Sequence, residues 1–270
     1  MNKLITYLKE KHTVILGVVI AVIFLVTLRV SGLAVQYIIK AKGYTAMLLE
    51  EIGAMIVSII ILYITGMNHI LRKKGKGIIR GLYIGGFLVV IGVIALANSF
   101  VNITNKTNNS HIQPLFQIIM FIATMLAVGI TEEFTFRGTI LNLYIDKFGR
   151  NRKGICVSIV LSSIIFGAAH VSNILSGASL KGAFIQACGA AILGALLAAI
   201  YLRSGNIFVV VILHAFNDFS VLIGSGFFGI GSPTNVVNSY SYLNLIGLCI
   251  YLIPILVLLR KNKTEEIIKI

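Results

Sequence analysis

Long apolar runs recur along the whole chain, and short polar or basic segments separate them. Most of these runs approach the roughly 20 residues that an α-helix needs to cross a bilayer. They predict about eight membrane spans, at residues 13–30, 47–67, 82–103, 114–134, 155–171, 183–202, 206–223 and 242–260. Helices satisfy their own backbone hydrogen bonds in lipid, so the pattern predicts an all-α, polytopic membrane helical bundle. Residues 1–270 are interpreted as a single integral membrane domain in the lipid bilayer.

The composition supports a membrane protein. The chain is 57% hydrophobic and 12% charged, whereas a soluble domain carries about twice that charged fraction. The net charge of +14 comes from Lys and Arg in the connecting segments. With the N-terminus inside, 17 of these residues fall in cytoplasmic segments and five in outer segments. By the positive-inside rule, this asymmetry predicts that both termini are cytoplasmic, and it gives no reason to expect a nucleic-acid partner.

Ionisable side chains interrupt three of the predicted spans. They lie in or at the edge of the fourth, fifth and seventh spans, and they are Glu132, Glu133, Arg137, His170, His214 and Asp218. A charge within a spanning helix is costly unless it is paired or lines a polar cavity, so such residues indicate function. We therefore predict one shared site and take residues 114–223 as its motif-bearing core.

The spacing of the acidic pair suggests a division of roles. Glu133 and Arg137 are four residues apart and share a helix face, so they are expected to pair. Glu132 is rotated by about 100° from Glu133, which leaves its carboxylate free. A free carboxylate in a poorly solvated cavity has a raised proton affinity, which suits a general base.

The two histidine motifs have the same four-residue spacing. Phe166 and His170 share one face, and His214 and Asp218 share another, so the Asp218 carboxylate could orient His214 by hydrogen bonding. A carboxylate with two histidines either polarises water directly or binds a metal that does so. The metal alternative, with zinc as the candidate cofactor, uses Glu132, His170 and His214.

These three motifs, in this order on predicted spans, resemble those of the CPBP family. That family comprises type II CAAX prenyl endopeptidases and bacteriocin-processing or abortive-infection membrane proteins. The resemblance implies an intramembrane endopeptidase in which Glu132 and His170 activate water. It also implies that His214 and Asp218 stabilise the oxyanion and that Glu133 and Arg137 structure the site. Some members have Asn where this chain has Asp218, and an ionised aspartate would repel an oxyanion.

Three alternatives would avoid that repulsion: Asp218 is protonated, it acts through His214, or it binds a metal. The adjacent Asn217 could donate a hydrogen bond instead, although it is rotated off the His214 face.

The substrate is expected to be a membrane-associated peptide or protein. Frequent Ile, Lys and Asn with no Trp are typical of an AT-rich bacterial source, so we expect the bacterial cytoplasmic membrane. Candidate substrates are leader peptides, bacteriocins and pheromone precursors, with a prenylated CAAX-type substrate in a eukaryotic or archaeal source. Two other classes stay open: a non-catalytic scaffold or bacteriocin self-immunity protein, and an ion- or proton-coupled transporter. The oligomeric state is left open.

Three further expectations bear on the site. Glu50 and Glu51 are interpreted as a solvated helix N-terminus near the outer surface. A stripe of small residues in the sixth span, Ala190, Gly194 and Ala198, is interpreted as a packing surface. The motif depths disagree, because the predicted fourth span ends at the inner side near Glu132. His170 would then lie roughly 22 Å and His214 roughly 12 Å from that side. Tilted helices, a later start of the fifth span or a different extent of the fourth would reduce the mismatch.

Overall fold

A computed structural model describes residues 3–72, 75–106 and 111–268, and the regular secondary structure in these ranges is all helical. Seven of the described helices are long and apolar enough to cross a membrane. In chain order, these spans are Thr13–Ile39, Gly43–Ile64, Gly86–Thr104, Leu115–Phe148, Arg152–Ser176, Leu180–Ser204 and Ile207–Phe228. The prediction of an all-α membrane bundle is confirmed. The orientation of the termini stays a prediction, and several of the charges behind it, at residues 73, 74 and 269, lie outside the described residues.

The predicted eighth span corresponds to a shorter helix, Tyr242–Leu258. A bend of 66° separates this helix from the segment Lys261–Ile267, and only the two together pass as a spanning element. The break falls where the apolar run gives way to Arg260, Lys261 and Lys263. Shorter helices complete the described chain, at Lys3–Lys11, Asn68–Leu71, Ile78–Ile84, Pro233–Asn238 and Lys261–Ile268.

The fourth span is longer than its apolar run. It was predicted to end at residue 134, but the helix continues to Phe148 through a π-helical segment at Phe134–Leu141. A π-helix widens the backbone and shifts its hydrogen bonds, and such segments are frequent at functional sites. Asn142 stabilises the widened turn, because its Nδ2 donates to the carbonyl oxygens of Arg137 and Gly138, each at 2.9 Å. The same nitrogen lies 3.1 Å from the hydroxyl of Tyr201 in the sixth span.

Small residues bring the fifth and sixth spans close together. A Cβ added to Gly167 would lie 2.5 Å from the carbonyl oxygen of Ala187 and 2.8 Å from the Cβ of Ala191. A Cβ added to Gly194 would lie 2.9 Å from the Phe166 ring. Ala190 and Ala198 are also buried, so the predicted packing role of this stripe is confirmed.

The second and fourth spans are joined by buried hydroxyl groups. The Oγ of Ser58 lies 2.8 Å from the Oγ1 of Thr135, which also donates to the carbonyl oxygen of Thr131. Hydrogen bonds of this kind hold membrane helices in register, since lipid offers no competing water. They fix the second span beside the motif-bearing turn of the fourth.

Candidate active site

A cavity of about 770 Å³ opens between the motif-bearing spans. Its walls come from the first, second, fourth, fifth, sixth and seventh spans and from the segment at residues 233–251. The ionisable side chains that line it are Glu51, Glu132, His170, His214 and Asp218. A second hollow of about 810 Å³ lies at the surface along residues 76–83 and holds none of the motif residues. The structure therefore gathers the three sequence motifs around one cavity.

Glu133 is the centre of the buried part of this site. Its Oε1 accepts a hydrogen bond of 2.8 Å from Nη1 of Arg137, as the four-residue spacing predicts. The same oxygen lies 2.7 Å from Nδ1 of His214 in the seventh span. A carboxylate accepts, so Nδ1 of His214 carries the donated proton and Nε2 faces the cavity. The sequence suggested that Asp218 could orient His214. In the structure, the short hydrogen bond from Nδ1 of His214 goes to Glu133 instead.

Glu132 faces the cavity instead. Its Oε2 is buried and has no hydrogen-bond partner among the described residues. It lies 3.5 Å from Nε2 of His214, and Oδ2 of Asp218 lies 3.6 Å from the same nitrogen. These distances are within ion-pair range but too long for strong hydrogen bonds. One imidazole nitrogen thus lies between two carboxylates, and the Glu132 side chain keeps 16% of its surface exposed at the cavity.

His170 has a defined tautomer. Its Nδ1 lies 2.9 Å from the backbone carbonyl oxygen of Phe166, which can only accept a hydrogen bond. Nδ1 therefore donates, and Nε2 of a neutral ring carries a lone pair. His170 begins the 3₁₀ segment His170–Ser176, where the fifth span tightens as it reaches the cavity. This local change of helix type places the imidazole at the cavity wall.

Phe166 holds the charged groups in place. Its ring centroid lies 4.8 Å from that of His170 and 6.0 Å from that of His214, both in edge-on arrangements. The Cζ of Arg137 lies 4.1 Å above the same ring, which is a cation–π contact. Gly194 leaves room for this arrangement, since an added Cβ would lie 3.0 Å from Nη2 of Arg137.

Asn217 lies at the cavity wall beside Asp218. Its Nδ2 donates to the carbonyl oxygen of Leu213, at 2.8 Å, in its own helix. That amide group is therefore already engaged by the backbone in this arrangement. The oxyanion role considered for Asn217 stays a prediction.

The predicted end of the fourth span caused the mismatch in depth between Glu132 and His170. Phe148 lies roughly 24 Å beyond Glu132 along a straight helix, so Glu132 is not at the inner end. His170 lies roughly 27 Å from the start of the fifth span at Arg152, which is a similar depth. The greater extent of the fourth span therefore accounts for Glu132 and His170, whereas His214 lies only seven residues, roughly 10 Å, from the start of the seventh span at Ile207.

Sequence reasoning missed Glu51. We interpreted it as part of a solvated helix N-terminus, but the second span begins at Gly43 and places Glu51 two turns inside. Its side chain lines the cavity, and its Oε2 accepts a 2.7 Å hydrogen bond from Oγ1 of Thr131. That interpretation was therefore wrong for Glu51. Its membrane position, like that of the other acids, was the signal that could have found it.

The described residues contain no preformed metal site. Within the described residues, no group of three or more His, Cys, Asp or Glu side chains lies in positions that could hold a metal ion. No step below depends on a metal. Zinc dependence stays a prediction that a chelator can test.

The fold and the cavity define an integral membrane protein with acidic and imidazole groups enclosed among its spans. Residues 114–220 match the family described as Type II CAAX prenyl endopeptidase Rce1-like. The matched segment is less than half of the chain and contains all three motifs, so the resemblance seen in the sequence is confirmed. At the level of the family, the match supports a CAAX-type intramembrane protease. Comparisons with curated proteins and with solved structures each gave no match.

Proposed function

We propose that this chain is an intramembrane endopeptidase that hydrolyses a peptide bond with a water activated by Glu132 and His170. The observation that carries the proposal is the carboxylate oxygen of Glu132. The Glu132 side chain is 16% exposed and lines the cavity that His170 and His214 also line, and its buried Oε2 has no hydrogen-bond partner among the described residues. A general base must lie within reach of the water that it deprotonates, and a carboxylate that lines the cavity meets this requirement.

The chemistry begins with water held between Glu132 and Nε2 of His170. Glu132 takes one proton as the water oxygen attacks the scissile carbonyl carbon, and a tetrahedral oxyanion forms. The C–N bond then breaks, and the proton held by Glu132 passes to the leaving amine. The products are a new carboxyl group and a new amine. Water supplies all of the added atoms, and Glu132 returns to its starting state.

His214 is suited to stabilise the oxyanion. Its Nδ1 is anchored on Glu133 at 2.7 Å, so the ring has a fixed orientation with Nε2 toward the cavity. Asp218 and Glu132 both lie within ion-pair distance of Nε2, an arrangement that suits a protonated nitrogen. A protonated Nε2 supplies the N–H that an oxyanion needs. Asp218 thus acts through His214, and it does not contact the oxyanion.

The proposed substrate is a membrane-associated peptide or protein. The cavity is within the size range of small-molecule and peptide-side-chain pockets, and its walls are mostly apolar. Leader peptides, bacteriocins, pheromone precursors and prenylated CAAX-type peptides all present an apolar segment to such a cavity. We propose the bacterial cytoplasmic membrane as the location.

Cleavage by purified protein in detergent tests the proposal. Wild type, Glu132→Gln and His170→Ala are compared on hydrophobic leader and lipidated peptides, with and without a chelator, and products are identified by mass spectrometry. Asp146→Asn is the matched control, because Asp146 lies on the same span but is exposed and does not line the cavity. We expect cleavage by wild type and Asp146→Asn only. Loss in the presence of chelator would favour the metal route.

Three results would overturn the proposal. Full cleavage by a folded Glu132→Gln protein would show that Glu132 is not the general base. A Glu132→Gln protein that restores the phenotype of a deletion strain would indicate the non-catalytic scaffold or immunity protein. Flux of a solute or of protons without a cleavage product would indicate the transporter.

A further inference from the structure

Three carboxylates and two imidazoles line the cavity, and Glu51 is one of the carboxylates. We propose that Glu51 binds a basic group of the substrate next to the scissile bond, and thereby selects cationic segments. This inference rests on the proposed endopeptidase function and adds the chemical class of its substrate.

Glu51 reaches the site from a span outside the three motifs. It lies on the second span, and Thr131, the residue before the proposed base Glu132, donates a 2.7 Å hydrogen bond to its Oε2. This contact holds the carboxylate beside Glu132, and Oε1 has no hydrogen-bond partner among the described residues. Glu51 is partly buried and lines the cavity, so a bound peptide can reach it.

The cavity contains more acidic than basic groups. Three carboxylates line it, from Glu51, Glu132 and Asp218. Among the described residues that line the cavity there is no lysine or arginine. Arg137 does not balance these charges, because it is held by the buried Glu133 and the Phe166 ring.

These charges have opposite effects on two kinds of peptide. An ammonium or guanidinium group near Glu51 would pair with a carboxylate that the protein leaves uncompensated, in a site with little competing water. An acidic side chain, or a free C-terminal carboxylate near Glu51, would meet like charge. The cavity therefore favours a cut beside a basic residue and disfavours one beside an acidic group.

Charge-swapped peptides test the inference. The substrates share one apolar sequence, are capped at both ends and carry Lys, norleucine or Glu at one position next to the cut. Norleucine matches the lysine side chain in length without its charge. We expect kcat/KM for the Lys peptide to exceed that for the norleucine peptide by about tenfold or more, with the Glu peptide slowest. An uncapped norleucine peptide tests whether a terminal ammonium serves equally well.

Substitutions of Glu51 test whether its side chain causes the preference for the Lys peptide. In Glu51→Gln we expect the Lys-to-norleucine ratio to fall close to one, and in Glu51→Asp to fall less, because the charge is kept. Glu50→Gln is the matched control, since the Glu50 carboxyl lies against Gly32 of the first span and does not line the cavity. It should keep the wild-type ratio. If Glu51→Gln fails to fold, Thr131→Val removes only the hydroxyl that positions Glu51 and should lower the ratio.

Binding separates this inference from the proposed function. Displacement of a fluorescent peptide by the three capped peptides measures preference without any cleavage. Cleavage with a Lys-to-norleucine ratio near one in wild type, or an unchanged ratio in folded Glu51→Gln, would overturn the role of Glu51 alone. Preferential binding of the Lys peptide without cleavage by the wild type would support Glu51 and count against the endopeptidase.

Discussion

Nδ1 of His214 lies 2.7 Å from Oε1 of Glu133, although 81 residues separate the two in sequence. The same oxygen accepts the hydrogen bond from Arg137, so one carboxylate joins the fourth and seventh spans and neutralises a buried arginine. Glu133 is 0% exposed and His214 is 4% exposed, which excludes solvent from this contact. The two adjacent glutamates therefore have different positions: Glu133 anchors the buried part of the site, and Glu132 lines the cavity.

Removing the charge of Glu133 should reduce both stability and activity. In Glu133→Gln, Arg137 is left as a buried charge without its partner, which costs about 3–5 kcal/mol in comparable buried pairs. We expect a lower Tm in detergent and at least a tenfold loss of cleavage, because His214 loses its anchor. The double variant Glu133→Gln/Arg137→Met should regain part of the Tm but not the activity. An unchanged Tm in Glu133→Gln would contradict the pairing.

Phe166→Leu should disturb the site without removing any charge. The aromatic ring contacts His170, His214 and Arg137, and its cation–π contact alone is worth about 0.5–2 kcal/mol. We expect a lower Tm and a lower kcat/KM. The control is Phe116→Leu, at a position on the same bundle that is 57% exposed, where little change is expected. Equal behaviour of the two variants would show that the Phe166 ring does not organise the site.

A single methyl group on the sixth span should have very different effects at two glycines. In Gly194→Ala the new Cβ would lie 2.9 Å from the Phe166 ring and 3.0 Å from Nη2 of Arg137. Overpacking of this kind costs about 1–3 kcal/mol. In Gly189→Ala the nearest atom, on Leu248, is 3.7 Å away, an ordinary contact. Thermal unfolding in detergent should show a lower Tm for Gly194→Ala only, and equal Tm values would argue against the close approach.

Asn142→Leu should destabilise the π-helical turn. It removes the donor that satisfies the carbonyl oxygens of Arg137 and Gly138, and a buried acceptor left unsatisfied costs about 1–3 kcal/mol. Tyr201→Phe is the milder comparison, because it removes only the 3.1 Å contact to Asn142. We expect Tm to fall further in Asn142→Leu than in Tyr201→Phe. The reverse order would indicate that the tyrosine, and not the turn, depends on Asn142.

Local patterns in the sequence predicted the site residues better than their partners. The four-residue spacing predicted that Glu133 and Arg137 would pair and that Glu132 would be left for another role, because both follow from the geometry of one helix. The partner of His214 could not be predicted in this way. Asp218 is its neighbour on the same helix, but Glu133 approaches more closely from a different span.

The sequence by itself determined the membrane class, seven of the spans and the three motifs, because hydropathy and helical spacing are properties of neighbouring residues. Only the tertiary structure decided that the fourth span continues past its apolar run to Phe148. Residues 134–145 are buried inside the protein, so their packing and not their hydropathy keeps them helical. The tertiary structure also decided that Glu51 belongs to the cavity. No spacing connects the second span to the fourth, and only the packing of the two helices sets Glu51 against Thr131.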